Sequence, residues 1–84
     1  VNSRQRKTLA ALYEKPTRRD LKWSAIESLL LALGAEFREG RGARVRFFLK
    51  GMILTLDRPH PRPIAGAGLV ERIREFLEAT GTRP

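Results

Sequence analysis

Cysteine is absent from these 84 residues, and methionine, tryptophan, tyrosine and histidine occur once each. Without cysteine there is no disulfide framework and no thiolate metal site. Any imidazole chemistry has to pass through His60, the single histidine. No His, Cys or carboxylate cluster stands at metal-ligand spacing, and no convincing Ser-His-Asp set can be built around one histidine. No cofactor is therefore expected. Long hydrophobic runs are missing too. The longest apolar stretch, Leu29 to Leu33, is far shorter than a membrane span. The N-terminal residues show no apolar signal region with a cleavage site. These absences lead to the expectation of a soluble, cytoplasmic protein with no membrane partner, and the chain length suits one domain with a compact core.

Positive charge is what the chain has in excess. Seventeen Lys and Arg stand against nine Asp and Glu, a net +8, and thirteen of the seventeen are Arg. The planar guanidinium fork suits phosphate. The excess is unevenly placed: residues 38–50 hold Arg38, Arg41, Arg44, Arg46 and Lys50 against Glu39 alone. Residues 69–80 instead carry Glu71, Glu75 and Glu78 against Arg72 and Arg74. Clustered basic charge attracts a polyanion with salt-sensitive affinity. The competing explanation is a surface tuned for solubility, or one that meets an acidic protein. Charge alone does not choose RNA over DNA.

Hydrophobic spacing organises the rest. Asn2 to Glu14 carries Leu9, Leu12 and Tyr13 at helical spacing and ends before Pro16. With the connector up to residue 21, it is either a docked helix or a loosely held arm preceding a main domain over 22–84. Ser24 and Glu27 read as a capping box, followed by the stripe Ile26, Leu29, Leu30, Leu33 and a left-handed stop at Gly34. Ala35 to Glu39 reads as a strand with Phe37 inward. Arg44–Leu49 and Met52–Leu56 form a hairpin around Lys50-Gly51. With those two residues as the loop, Leu49 faces Met52, Phe47 faces Leu54 and Val45 faces Leu56, all on one face. The other face pairs Phe48 with Ile53, Arg46 with Thr55 and Arg44 with Asp57. Three prolines keep residues 57–63 out of helix and central strand. Leu69, Val70, Ile73, Phe76 and Leu77 mark a last amphipathic helix ending near Gly81. The fold class is α+β: an α-β-β-β-α sandwich, with a three-stranded antiparallel sheet, two helices on one face and an extra N-terminal helix.

That order of elements is shared with the double-stranded-RNA-binding fold, and the chain resembles the HicA family of toxins, which look like a minimal version of it. The resemblance runs over about residues 22–81. It is carried by Trp23-x-x-Ile26-x-x-Leu29-Leu30-x-Ala32-Leu33-Gly34-Ala35, then Gly40-Arg41-Gly42-Ala43-Arg44-Val45, then Arg58-Pro59-His60-Pro61, and Gly68-Leu69-Val70 leading to Ile73-x-x-Phe76-Leu77. It implies the toxin of a toxin–antitoxin pair, which binds and cuts mRNA without a metal and is covered by a HicB-type antitoxin. The chain departs from the family pattern at one point. The family motif Gly-Ser-His or Gly-Thr-His, whose histidine is catalytic, is replaced here by Gly42-Ala43-Arg44. Histidine takes and gives protons near neutrality, whereas arginine stays protonated and stabilises phosphate charge.

Each candidate residue has a plainer alternative. His60, in a stiff Pro-His-Pro loop between Arg58 and Arg62, is the acid–base candidate or an exposed loop histidine. It also matches a second family histidine after the last strand. Arg44, at the family histidine position, is a catalytic candidate in its own right. With Arg46, Phe48 and Lys50 it forms a basic, aromatic-bearing platform for single-stranded RNA. The alternative is an Arg44–Asp57 pair beside a solvated Arg46. Arg41 and Gly42 offer a guanidinium and backbone N–H groups to phosphate, or form a plain loop, and Arg58 and Arg62 complete the RNA-binding set. Phe48 and Ile53 make an apolar patch that stacks RNA, docks an antitoxin or a second copy as a homodimer, or lies under the N-terminal helix. Trp23 is a core anchor, and Asp57 is an orienting partner for His60 or a strand-end salt bridge. Beside the toxin reading stand a non-catalytic RNA-binding module and a protein-interaction domain with a basic surface.

Overall fold

Two residues at the hairpin turn set the strand register. Lys50 and Gly51 both lie at positive φ, 49° and 77°, as a two-residue loop of the tight mirror-image type requires. The turn closes the pairs Leu49–Met52, Phe47–Leu54 and Val45–Leu56 on one face and Phe48–Ile53, Arg46–Thr55 and Arg44–Asp57 on the other. This is the register expected from the alternation.

The computed structural model describes residues 1–84. Its elements are α1 (Ser3–Leu12), β1 (Leu21–Lys22), α2 (Trp23–Ala32), β2 (Glu36–Glu39), β3 (Arg44–Leu49), β4 (Met52–Asp57), β5 (Ile64–Ala65) and α3 (Ala67–Ala79). The architecture is α+β, with three helices and an antiparallel sheet in the order β2-β3-β4. A separate two-stranded ladder joins β1 to β5, pairing Leu21 with Ala65 and Lys22 with Ile64. No helix is long and apolar enough to cross a membrane.

The core lies between the helices and the inner sheet face. Val45, Phe47, Leu54 and Leu56 meet Ile26, Leu29 and Leu30 of α2 and Val70, Ile73 and Leu77 of α3 in one cluster. Phe47 is fully buried at its centre. The Phe37 ring tilts against it at 5.3 Å, and Trp23 meets it edge-on at 6.1 Å, so Trp23 is a core anchor. Met52 stays 40% exposed at the hairpin tip although it shares the inner face.

Ser3–Leu12 form a docked helix rather than a loose arm. Leu9, Ala11 and Leu12 are buried in the same cluster. The capping box belongs to this helix: the Asn2 side chain accepts from the Gln5 N–H, and the Gln5 side chain accepts from the Asn2 N–H. At α2 the expected box does not form. Lys22 is the N-cap and makes no side-chain cap. The Trp23 N–H donates instead to the Pro63 carbonyl at 2.9 Å, so the neighbouring ladder satisfies the helix start. Glu27 turns to a cation, Arg58, at 3.3 Å, a stronger partner than a neutral backbone N–H.

Arg74 ties α1 to α3. Its Nε donates to the Leu12 carbonyl at 2.8 Å and Nη2 donates to Thr17 Oγ1 at 3.0 Å. The Tyr13 hydroxyl donates to the Thr82 carbonyl at 2.5 Å. Arg74→Ala is expected to cost about 1–3 kcal/mol, the range for removing a partner from acceptors shielded from water, here part-buried ones. Urea unfolding checks it, with amide exchange in α1 quickening more than exchange in β3.

Candidate nucleic-acid interface

The site begins with two loops held together by one backbone bond. The Arg58 N–H donates to the Ala43 carbonyl at 2.9 Å, which lays the Pro59–Pro63 segment beside the Gly40–Ala43 turn. Two glycines shape that turn. Gly42 sits at φ +59°, which a side chain adopts only with strain. Gly40 donates to the Arg44 carbonyl at 2.8 Å, and a Cβ there would come within 3.1 Å of Arg44 Cγ. The turn therefore sets the position of Arg44 at the start of β3.

Between the loops and the outer sheet face lies an open cleft of about 470 Å³. Gly40, Arg41 and Ala43 line it from the turn, Arg44 and Arg46 from β3, Asp57 from β4 and His60 from the proline-rich loop. Four sequence-derived candidates, Arg41, Arg44, Arg46 and His60, thus converge on one space. They do so because β3 sends residues of even number outward while the Arg58–Ala43 bond folds His60 over its end.

The arginines differ in how much of their charge is already used. Arg41 and Arg46 are exposed and have no carboxylate partner. Arg44 donates Nε to Asp57 Oδ1 at 2.8 Å, the cross-strand pair that the register implies. Its two terminal nitrogens make no bond within the protein. No hydrogen bond joins Asp57 to His60; the one side-chain bond of Asp57 goes to Arg44.

Arg58 is built into the protein. It bonds Glu39 at 3.0 Å and Glu27 at 3.3 Å, and its guanidinium lies 5.4 Å from the centre of the Phe37 ring. The hydrogen bond to Glu39, opposed by desolvation and joined by Glu27, holds it more firmly protonated than an ordinary arginine. Two carboxylates neutralise its charge, so its work is to anchor the His60 loop to α2 and β2. Gly42, Lys50 and Arg62 do not line the cleft. Gly42 acts through the turn, Arg62 is exposed two residues beyond His60, and Lys50 lies in the hairpin turn just past β3, roughly 13 Å from Arg46 at about 3.3 Å per residue.

The outer face continues the platform. Phe48 is half-buried and Ile53 is 61% exposed. The N-terminal helix does not cover them, because it packs its apolar side into the core on the opposite face. Two arginines escape the sequence reading. Arg38 stands directly across from Arg46, and the inward parity of Phe37 already places it outward. Arg72 of α3 lies beside Arg44 and donates Nη2 to the Thr55 carbonyl. No local pattern connects residues 44 and 72.

Compared with known proteins, the chain matches no family model, no curated protein and no solved structure.

Proposed function

We propose that this domain binds single-stranded RNA across the Arg41–Arg44–Arg46 cleft, as a HicA-like toxin on a double-stranded-RNA-binding-domain-like fold, with His60 as the acid–base group of mRNA cleavage. The observation that carries the reading is the convergence of three guanidiniums and the one imidazole on a single open cleft. Arg41 and Arg46 keep their charge for phosphate, and Phe48 offers an aromatic surface on the same face for a base. The order helix, three antiparallel strands, helix supports the fold assignment. The patch of half-buried Phe48 and exposed Ile53 is the surface a HicB-type antitoxin or a second copy would cover.

The chemistry that suits the cleft is attack of a ribose 2′-OH on its own phosphate. The 2′-oxygen forms a bond to phosphorus, the bond to the 5′-oxygen breaks, and a cyclic phosphate and a 5′-hydroxyl result. His60 takes the 2′-OH proton, water protonates the leaving oxygen, and Arg44 and Arg46 stabilise the added charge on phosphorus.

A specific observation favours a second reading, a non-catalytic RNA-binding module. His60 has no hydrogen-bonded second acid–base group, and the one side-chain bond of the neighbouring Asp57 goes to Arg44.

Incubating the full chain with mixed-sequence single-stranded RNA in EDTA, over a salt series, separates these readings. The expected result is salt-sensitive binding with cleavage to cyclic-phosphate ends. His60→Ala should lower cleavage about 10²–10⁴-fold, the usual worth of general acid–base catalysis, while binding is retained. Binding without cleavage selects the module. Unchanged cleavage in the variant removes His60 from the mechanism, and no binding at low salt sinks the RNA reading in favour of an acidic protein partner.

A further inference from the structure

The cationic surface does not stop at the main cleft. A second groove of about 250 Å³ lies over the outer edge of β4, lined by Arg44, Thr55, Leu56, Asp57 and Arg72. It shares Arg44 and Asp57 with the main cleft, so the two spaces abut on one ion pair.

Arg72, like Arg74, is held by neutral acceptors rather than by a carboxylate. Arg18 and Arg58 each bond two carboxylates, Glu14 with Asp20 and Glu27 with Glu39, and so carry little net charge to offer. Arg72 is oriented by a neutral acceptor, the Thr55 carbonyl, and takes part in no ion pair. Thr55 lies on an edge strand. A carbonyl fixes a guanidinium without neutralising it, which leaves a positioned cation with free N–H groups.

Asp57 stands between the two spaces. Its bond to Arg44 is short, yet both side chains are open to water, 51% and 62% exposed. Exposed pairs of this kind contribute little to stability. The carboxylate puts an anion where a track of cations meets, in the geometry a phosphate oxygen would adopt toward Arg44 Nε.

We propose that the β4–α3 groove is a second phosphate subsite, for a neighbouring phosphate of the same strand. Asp57 is the displaceable stand-in that occupies Arg44 until that strand arrives. The proposal deepens the RNA reading given above and rests on it. A bound strand passes from Arg41 and His60 over Arg44 to Arg72, and the Asp57 carboxylate competes with it most strongly at low salt, where exposed charges are least screened. Asp57 therefore weakens binding to any polyanion, which limits non-specific retention by a strongly basic domain.

The test measures binding of the full chain to a labelled mixed-sequence single-stranded RNA by anisotropy over a salt series. Short inorganic polyphosphate serves as a second probe that carries phosphates and no bases. Asp57→Asn is expected to tighten binding of both probes about three- to tenfold at low salt, as removal of one nearby like charge from a phosphate predicts. Arg72→Gln is expected to weaken both by a similar factor and to reduce the salt slope for RNA by about 0.7, one phosphate contact on a single strand. Circular dichroism confirms that each variant is folded. An unchanged or weakened affinity in Asp57→Asn, with wild type binding normally, overturns the stand-in role. An unchanged salt slope in Arg72→Gln overturns the subsite. If wild type binds polyphosphate but not RNA and the variants act as stated, the subsite holds and the RNA reading falls. If it binds neither, both fall.

Discussion

Phe47→Ala is expected to destabilise the protein by about 3–5 kcal/mol, the range for deleting a buried aromatic ring. Phe47 has no solvent-exposed surface and packs against Trp23 and Phe37, so truncation leaves a cavity walled by two rings. A chain of this length has roughly 4–13 kcal/mol of stability in total, at about 0.05–0.15 kcal/mol per residue. The loss therefore approaches the whole at the lower end. A fall in melting temperature of roughly 12–40 °C follows from about 4–8 °C per kcal/mol in small domains. The control is Ile53→Ala, one strand away on the opposite face and 61% exposed, which should stay within about 0.5 kcal/mol. Similar losses at both positions in urea unfolding would mean that the two sheet faces are assigned wrongly.

Arg44→Ala with Arg46→Ala should reduce RNA affinity at least about a hundredfold at low salt while leaving the melting temperature nearly unchanged. Each guanidinium contact to phosphate is a charge-assisted bond worth about 1.5–3 kcal/mol, and each 1.4 kcal/mol is tenfold in affinity. The salt dependence should flatten by about 1.4 in slope, two contacts at about 0.7 each. Stability is spared because Arg46 is exposed and the Arg44–Asp57 pair lies in solvent. Lys50→Ala and Arg62→Ala, outside the cleft, should each act far more weakly. An effect of Lys50→Ala equal to that of the double variant would move the binding path from the cleft to the hairpin tip.

Much of the fold was legible because its signals are local. Alternation over Arg44–Asp57, with one two-residue turn, leaves a single register that buries Val45, Phe47, Leu54 and Leu56 together. The same alternation places Arg44, Arg46, Phe48 and Ile53 on the outer face. The β1–β5 ladder was not legible, since two residues per strand carry no periodicity. Ser24 and Glu27 have the spacing of a capping box, but the helix starts one residue earlier, where the Pro63 carbonyl takes the Trp23 N–H, and Arg58 takes the Glu27 carboxylate. Asn2 and Gln5 form the box with no competitor nearby.

The site divides along the same line. Residue type and strand parity were enough to select Arg41, Arg44, Arg46 and His60, because each lies within a short loop or an alternating strand. The sequence could not tell which arginines remain free. Arg44, Arg58 and Arg72 have the same side chain, yet one meets a solvent-exposed aspartate, one meets two glutamates over an aromatic ring, and one meets only a carbonyl. Face and register follow from chemistry repeated every second residue, so the chain by itself determined them. The net charge that each guanidinium presents depends on partners 13 to 31 residues distant, and only the tertiary structure decides which of them it meets.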